Sequence, residues 1–290
     1  MPTKIEKDAL TGTDTTGHEW DGLKELNTPL PKWWLYVMYA TIAFSLVWVI
    51  LYPAFPIRGA TGVTGWIARE AVMQDVAAAN ERMAPMLNRI REATPQQIAA
   101  DPDLRAFAMA GGRIAFANNC AGCHGAGGQG AQGGFPSLAD DDWIWGGSYD
   151  AILQTIRHGI RAGESDEERT SMMPRFVADG VLTVPQVNDV AAYVASLGGS
   201  TDDAAAVERG KPLYADNCAS CHGENAEGNR DVGAPRLNDR IWLHGGDRHA
   251  IARFIANPRM GVMPAWGGRL DPATMNMLAV YVHALGGGEN

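Results

Sequence analysis

The sequence predicts an all-α protein in which one N-terminal transmembrane helix is followed by two tandem domains of the same kind. Three observations lead to this prediction. An uncharged apolar run lies near the N-terminus, residues 105–290 contain two similar copies of one pattern, and apolar residues recur at helical spacing without long strand-like alternation. A chain of 290 residues is long enough for about two domains with their connectors.

The apolar run extends from Trp33 to Tyr52 and reads WWLYVMYATIAFSLVWVILY. At about 1.5 Å per residue, a helix of this length covers roughly 30 Å, the thickness of the hydrocarbon layer of a membrane. Aromatic residues lie near both ends, as in interfacial belts, and Pro31 and Pro53 bracket the run. A buried helix this long usually keeps a polar face, and a signal peptide is shorter and begins earlier. We therefore expect a tail at residues 1–32 and an uncleaved anchor at residues 33–57.

The charges of the chain limit its partners but do not orient it. The net charge is -9, which argues against nucleic acid and favours a basic protein partner or simple solubility. Lys24 and Lys32 precede the apolar run, and Arg58 and Arg69 follow it at similar distances. The positive-inside rule therefore gives no orientation.

An internal repeat defines the rest of the chain. FANNCAGCHG matches YADNCASCHG, MMPRF matches VMPAW, and VNDVAAYVASLGG matches MNMLAVYVHALGG. These pairs predict a helical connector at 58–104, a first domain at 105–199, a linker at 200–209 and a second domain at 210–290. In the connector, TPQQIAA and DPDLRAFAMA each begin with a capping residue followed by proline, which predicts two helix starts.

All four cysteines lie in the matched pentapeptides CAGCH and CASCH. Structural disulfides would not need a histidine at a fixed place, a zinc ribbon separates its cysteine pairs by far fewer residues, and a thioredoxin-like pair accompanies a βαβ pattern. Covalent attachment of c-type haem explains every residue, because two thiols bind one porphyrin and the adjacent histidine binds its iron. The sequence thus predicts two covalently bound haem c groups. Their attachment residues are Cys120, Cys123, Cys218 and Cys221, and their proximal ligands are His124 and His222.

A second axial ligand would make each haem suitable for electron transfer, and a methionine thioether is the common partner of histidine. Met173 and Met263 are each followed by proline and occupy the same place in the two copies. Methionine is more often core filler, but the rivals Met172 and Met260 lack both the proline and an aligned partner. The repeat leaves open whether each methionine serves the haem of its own copy.

Other residues have smaller predicted roles. A carbonyl at Pro136 or Pro235 would accept the Nδ1 proton of the proximal histidine and fix its tautomer, although turn prolines are common. Aromatic residues that we expect against the haems, unless they are ordinary core, are Trp143, Trp242, Tyr193 and Tyr281. Histidines without a matched place, which we interpret as surface or haem-propionate neighbours, are His158, His244, His249 and His283. The sequence contains no catalytic nucleophile–base pair.

Resemblance to known families adds information about fold and function that the spacing of residues does not give. The two copies resemble class I cytochromes c, so the fold class becomes one transmembrane helix followed by two tandem class I cytochrome c domains. The segment TGHEWDGLKELNTPLPKWWLYVMYATIAFSLVWVILYPAFP closely resembles the start of the dihaem subunit, CcoP or FixP, of cbb3-type cytochrome c oxidase. The resemblance covers nearly the whole chain.

The resemblance implies an electron-transfer subunit that is not an enzyme on its own. Electrons would pass from a donor cytochrome c through this chain, towards a monohaem cytochrome c subunit and a catalytic haem–copper subunit that reduces oxygen. It also implies an inner-membrane protein, in contact with lipid, with a cytoplasmic N-terminus and periplasmic haem domains. The alternatives are a dihaem cytochrome that serves a periplasmic dehydrogenase or another reductase, and a haem sensor, which the Met-Pro pairs argue against.

Overall fold

The computed structural model describes residues 4–52, 62–199 and 203–289. It is mostly helical, as predicted. It divides into two units, residues 1–82 and residues 83–290. The linker predicted at 200–209 falls partly outside the described residues, and so do Pro53 and Arg58.

The first unit begins with a two-stranded antiparallel sheet, which the all-α prediction did not include. Strand β1 is Thr15–Trp20 and strand β2 is Leu23–Leu26. The two residues between them, Asp21 and Gly22, both have positive φ angles of 46° and 85°. A two-residue turn of this conformation matches the right-handed twist of a hairpin and favours an Asp-Gly pair.

The predicted membrane segment forms helix α1, Lys32–Leu51. All of its backbone hydrogen bonds can be made within the helix, which a membrane requires. None of its residues is buried by the rest of the protein. Among the described residues it is the one helix long and apolar enough to cross a membrane. Aromatic rings meet near its C-terminal end: the ring centroids of Trp48 and Tyr52 are 4.6 Å apart in a tilted contact, and those of Tyr52 and Trp66 are 5.6 Å apart in an edge-to-face contact.

The predicted connector is helical. Helix α2 is Ala68–Glu92 and continues through Pro85. Helices α3, Pro95–Ala100, and α4, Pro102–Asn119, follow. Thr94 caps α3 with a complete capping box, and the Asp101 carboxylate accepts from two amides at the start of α4. Both predicted helix starts are therefore confirmed.

The second unit contains two sets of elements that correspond to the repeat. The first set comprises α4, α5 (Ala121–His124), α6 (Tyr149–His158) and α7 (Val184–Leu197). The second set comprises α8 (Ala204–Asn217), α9 (Ala219–His222), α10 (Arg248–Ala256) and α11 (Pro272–Gly286). The domain boundaries drawn from the repeat stay a prediction.

The packing of these helices is exchanged between the two sets. Helix α4 packs on α11, and α7 packs on α8 and α10. In the described part of the chain, neither α4 with α7 nor α8 with α11 forms a comparable contact. Each helical core therefore combines elements from both copies of the repeat.

Glycines allow the close approach at both exchanged crossings. A Cβ atom added to Gly112 of α4 would lie 2.5 Å from the Met277 carbonyl oxygen and 2.7 Å from the Tyr281 Cβ of α11. A Cβ atom added to Gly210 of α8 would lie 2.0 Å from the Asp189 carbonyl oxygen of α7. The backbones touch at these points, and only glycine leaves room for the contact.

Candidate functional site

Each cysteine pair lies at the C-terminal end of a long helix, which positions it. Helix α4 ends at Cys120, where α5 begins, and α8 ends at Cys218, where α9 begins. The first cysteine of each pair is largely covered, and the second, Cys123 or Cys221, is exposed. All four thiols are free. Burial raises the pKa of Cys120 and of Cys218 to about 11, so both are neutral thiols in the polypeptide.

The two histidines are held in the same tautomer. The Nδ1–H of His124 donates to the Pro136 carbonyl oxygen at 3.0 Å, and that of His222 donates to the Pro235 carbonyl oxygen at 2.9 Å. These bonds confirm the predicted role of both prolines. Burial lowers the pKa of each histidine, although the backbone bond opposes it. A neutral imidazole fixed through Nδ1 presents Nε2 as a metal ligand.

Each methionine packs against the core cluster that also involves the first cysteine of the other copy. Met173 packs against the core cluster that contains Tyr214, Cys218 and Ile251. Met263 packs against a different cluster, built on Phe116 and Leu278, which Cys120 also contacts. The helix exchange explains this placement, because each methionine precedes a helix that packs in the other core.

Backbone bonds fix the Met263 segment on the first copy. The N–H of Ile160 donates to the Met263 carbonyl at 2.9 Å, and the N–H of Met263 donates back at 3.0 Å. Further on, the N–H of Trp266 donates to the carbonyl of Ile156, near the end of α6. The segment therefore lies along the first copy before α11 begins.

Trp143 has a buried donor that the protein does not satisfy. Its indole Nε1 is buried and has no hydrogen-bond partner among the described residues. Gly147 lies so close that an added Cβ would be 2.5 Å from the Trp143 ring. Trp242 and Gly246 repeat the close approach of glycine and ring in the second copy, where an added Cβ would lie 2.4 Å from the Trp242 ring. A buried donor without a partner is costly, so the site fits a bound group with an acceptor such as a haem carboxylate.

Two aromatic contacts join the copies beside the histidine loops, and the sequence analysis did not anticipate them. Gly233 approaches the Trp145 ring so closely that an added Cβ would lie 2.1 Å from it, and the Arg169 guanidinium lies over the same ring at 4.9 Å. In the matched place, His244 faces Gly134, where an added Cβ would lie 3.6 Å from its Cε1 atom. Each glycine stands two residues before a proline whose carbonyl oxygen accepts a hydrogen bond from a proximal histidine.

Three other histidines contact side chains of the protein. His158 Nδ1 lies 2.8 Å from the Ser165 hydroxyl, His244 stacks on Phe254, and His283 stacks on Tyr149. Among the described residues no group of three or more His, Cys, Asp or Glu side chains could hold a metal ion.

Comparison with known families finds matches along most of the chain. Residues 12–58 match the N-terminal domain of cytochrome oxidase-cbb3, FixP, residues 108–198 match cytochrome c, and residues 205–282 match cytochrome c oxidase, cbb3-type, subunit III. The chain is 53% identical to the cbb3-type cytochrome c oxidase subunit CcoP of Azospirillum brasilense, over 98% of this chain and 99% of the relative. It is 47% identical to CcoP of Cereibacter sphaeroides over the full length of both, and 46% identical to FixP of Rhizobium meliloti over 97% of each.

The fold and the two haem-binding segments define a membrane-anchored dihaem cytochrome of the c type. It contains two cytochrome c domains and two covalently bound haem c groups. With these relatives over nearly its whole length, the chain belongs to the CcoP/FixP family of cbb3-type cytochrome c oxidase subunits. It is an electron-transfer subunit that associates with the other subunits of the oxidase.

Proposed function

We propose that each Cys-x-x-Cys-His segment attaches one haem c and supplies its first axial ligand. The geometry that supports this is the pair of Nδ1 bonds to Pro136 and Pro235, which leave both Nε2 atoms available. The first haem takes Cys120, Cys123 and His124, and the second takes Cys218, Cys221 and His222. Bound haem supplies one-electron redox chemistry at its iron.

The second axial ligands are exchanged between the copies. Met263 serves the haem of His124, and Met173 serves the haem of His222. The observation that carries this pairing is the packing of each methionine with the core of the other copy. Two axial protein ligands favour electron transfer over gas binding, and a thioether ligand raises the reduction potential.

The proposed path of electrons begins at a donor cytochrome c. The chain accepts the electron and relays it towards the monohaem cytochrome c subunit and the catalytic haem–copper subunit of the oxidase. This role is supported by the family to which the chain belongs and by the solvent exposure of Cys123 and Cys221, which brings one edge of each haem site near the surface. Purification of the tagged full chain from membranes should therefore retain b-type haem and copper.

The proposed orientation puts residues 1–32 in the cytoplasm and residues 58–290 in the periplasm of a bacterial inner membrane. Covalent haem attachment follows export, which supports this orientation. A reporter enzyme that is active only in the periplasm, fused to the C-terminus, should be active. Activity of a cytoplasm-specific reporter at the same position would reverse the topology.

The axial assignment is tested in chains that keep one haem. Replacing Cys218 and Cys221 with alanine abolishes the covalent attachment of the second haem and leaves that of the first. In that chain, Met263→Ala should convert the remaining haem to high spin and lower its potential, and Met173→Ala should leave its spectrum unchanged. The reciprocal chain, without Cys120 and Cys123, should give the reciprocal result.

The two methionine variants act as controls for each other. If Met173→Ala affects the first haem instead, each methionine serves its own copy. If neither variant changes the spectrum of either single-haem chain, other residues are the axial ligands. Haem staining after denaturation measures covalent attachment in every variant, because the thioether bonds do not involve methionine.

A further inference from the structure

Arg161 lies between the two segments that carry the methionines. Its Nε–H donates to the Gly261 carbonyl oxygen at 2.8 Å, and one terminal N–H donates to the Ser171 carbonyl oxygen at 2.9 Å. Gly261 stands two residues before Met263, and Ser171 stands two residues before Met173. One guanidinium therefore binds the matched carbonyls of both segments.

The backbone holds Arg161 in an unusual conformation. Its φ angle is 53°, in the left-handed region that residues other than glycine rarely occupy. Its own N–H donates to the Arg169 carbonyl at 2.9 Å, and its neighbour Ile160 forms the two backbone bonds with Met263. Strained residues persist where the surrounding structure fixes them, and they cluster at functional sites.

The guanidinium is half-buried and pairs with no carboxylate in the described ranges. Burial lowers the pKa of Arg161, but an arginine remains charged at physiological pH. Two arginines that follow the methionines in the sequence pair with acids instead: Arg175 with Asp179, and Arg269 with Glu164. Hydrogen bonds from a charged donor are stronger than neutral ones, so both bonds from Arg161 to backbone carbonyls are strengthened.

We propose that Arg161 is a positioning residue for Met173 and Met263 together. The proposal rests on the proposed function, in which these methionines are the second axial ligands of the two haems. A rigid planar fork joins the two carbonyls, so it fixes the separation of the two segments that lead to the ligands. Loss of the guanidinium loosens both segments, and both thioethers become easier to displace.

The test measures how easily an added ligand replaces each methionine. Imidazole is titrated into the oxidised full chain in detergent, and also into the two single-haem chains, while the haem spectrum is followed. In Arg161→Met, the apparent affinity for imidazole should rise about tenfold at both haems, the effect of about 1.4 kcal/mol. Arg161→Lys keeps the charge but has no planar fork, so it should raise the affinity at both haems as well.

Arg209→Met is the matched control. This variant also loses a guanidinium, but Arg209 pairs with Asp189 on the surface, at 2.7 Å. The imidazole affinity of Arg209→Met should therefore equal that of the wild type. Covalent haem content is measured throughout, and Arg161→Lys keeps the test valid if Arg161→Met does not fold.

Several results would overturn the proposal. An effect at one haem alone, or wild-type affinity in both Arg161 variants, would remove the shared positioning role while the axial assignment stood. Wild-type affinity in Arg161→Lys with an increase in Arg161→Met would assign the effect to charge. If neither Met173→Ala nor Met263→Ala raises the imidazole affinity of either haem, the axial assignment itself is wrong, and this proposal fails with it.

Discussion

Replacing Gly112 with alanine should destabilise the crossing of α4 and α11. The added methyl group would lie 2.5 Å from the Met277 carbonyl oxygen, whereas ordinary contact begins near 3.4 Å. The helices would have to separate by about 1 Å, and overpacking of this kind costs about 1–3 kcal/mol. The nearest atoms are a backbone oxygen and a Cβ, which no side-chain rotation can move away, so the upper part of that range applies. The better helix propensity of alanine returns about 1 kcal/mol.

The expected loss is therefore about 1–2 kcal/mol of unfolding free energy, which for a domain of this size lowers Tm by a few degrees, about 2–4 °C per kcal/mol. Thermal unfolding of the full chain in detergent, followed by circular dichroism, measures it. Gly111→Ala is the control, because its methyl group would meet only the flexible end of the Met277 side chain. Equal stability of the two alanine variants would refute the reasoning, since it would mean that the backbones do not touch at Gly112.

Three further predictions concern charge and hydrogen bonding. Burial, with help from nearby Asp239, raises the pKa of Asp142 to about 6. Its stabilising contribution is present below about pH 4 and is lost as the pH rises through 6. At pH 7.5, thermal unfolding should therefore show Asp142→Asn to be more stable than the wild type by about 1 kcal/mol after solvent screening. Neutralising the exposed acids Asp166 and Glu167 together should slow reduction by a basic cytochrome c at low salt and flatten the salt dependence. Tyr214→Phe removes a 2.8 Å bond to the carbonyl after the second Cys pair, and should cost about 1 kcal/mol of stability in urea unfolding.

Each of these has an outcome that contradicts it. For Asp142→Asn, a stability gain that persists unchanged at pH 4 would show that the effect is not the ionisation of Asp142. For the acidic pair, identical stopped-flow rates at every ionic strength would leave these residues as a solvated surface. Glu168 is left unchanged in that experiment, because its carboxylate accepts from the amides of Ala162 and Gly163. For Tyr214→Phe, an unchanged urea midpoint would mean that water replaces the lost bond at no cost.

Local chemistry was readable from the sequence because it depends on residues close together in the chain. The Cys-x-x-Cys-His segments, the Pro136 carbonyl and the caps at Thr94 and Asp101 are all set by short spacings. The small hairpin also had a local signal, the Asp-Gly pair at residues 21–22, which a reading based on long strands passes over.

The helix exchange had no such signal. Gly112 and Gly210 occupy the same place in the repeat, and Tyr281 and Tyr193 are also aligned, so the two possible pairings offer nearly the same contacts. The choice between them depends on the connections, which composition does not reveal. The role inferred for Arg161 follows from the exchange, because its two acceptors become neighbours only when both methionine segments cross beside it.

The exchange also changes the order in which the parts of the chain become able to fold. Helices α7, α8 and α10 come from one continuous stretch, whereas α4 must wait for α11. During synthesis from the N-terminus, chain segments fold as their partners emerge. The core that contains Cys218 can thus assemble before the core against which Cys120 packs, and the first Cys pair, although made earlier, waits for α11 to complete its core. A chain that stopped after residue 258 would keep α7, α8 and α10, but it would lack Met263 and α11, so the core that α4 shares with α11 could not form.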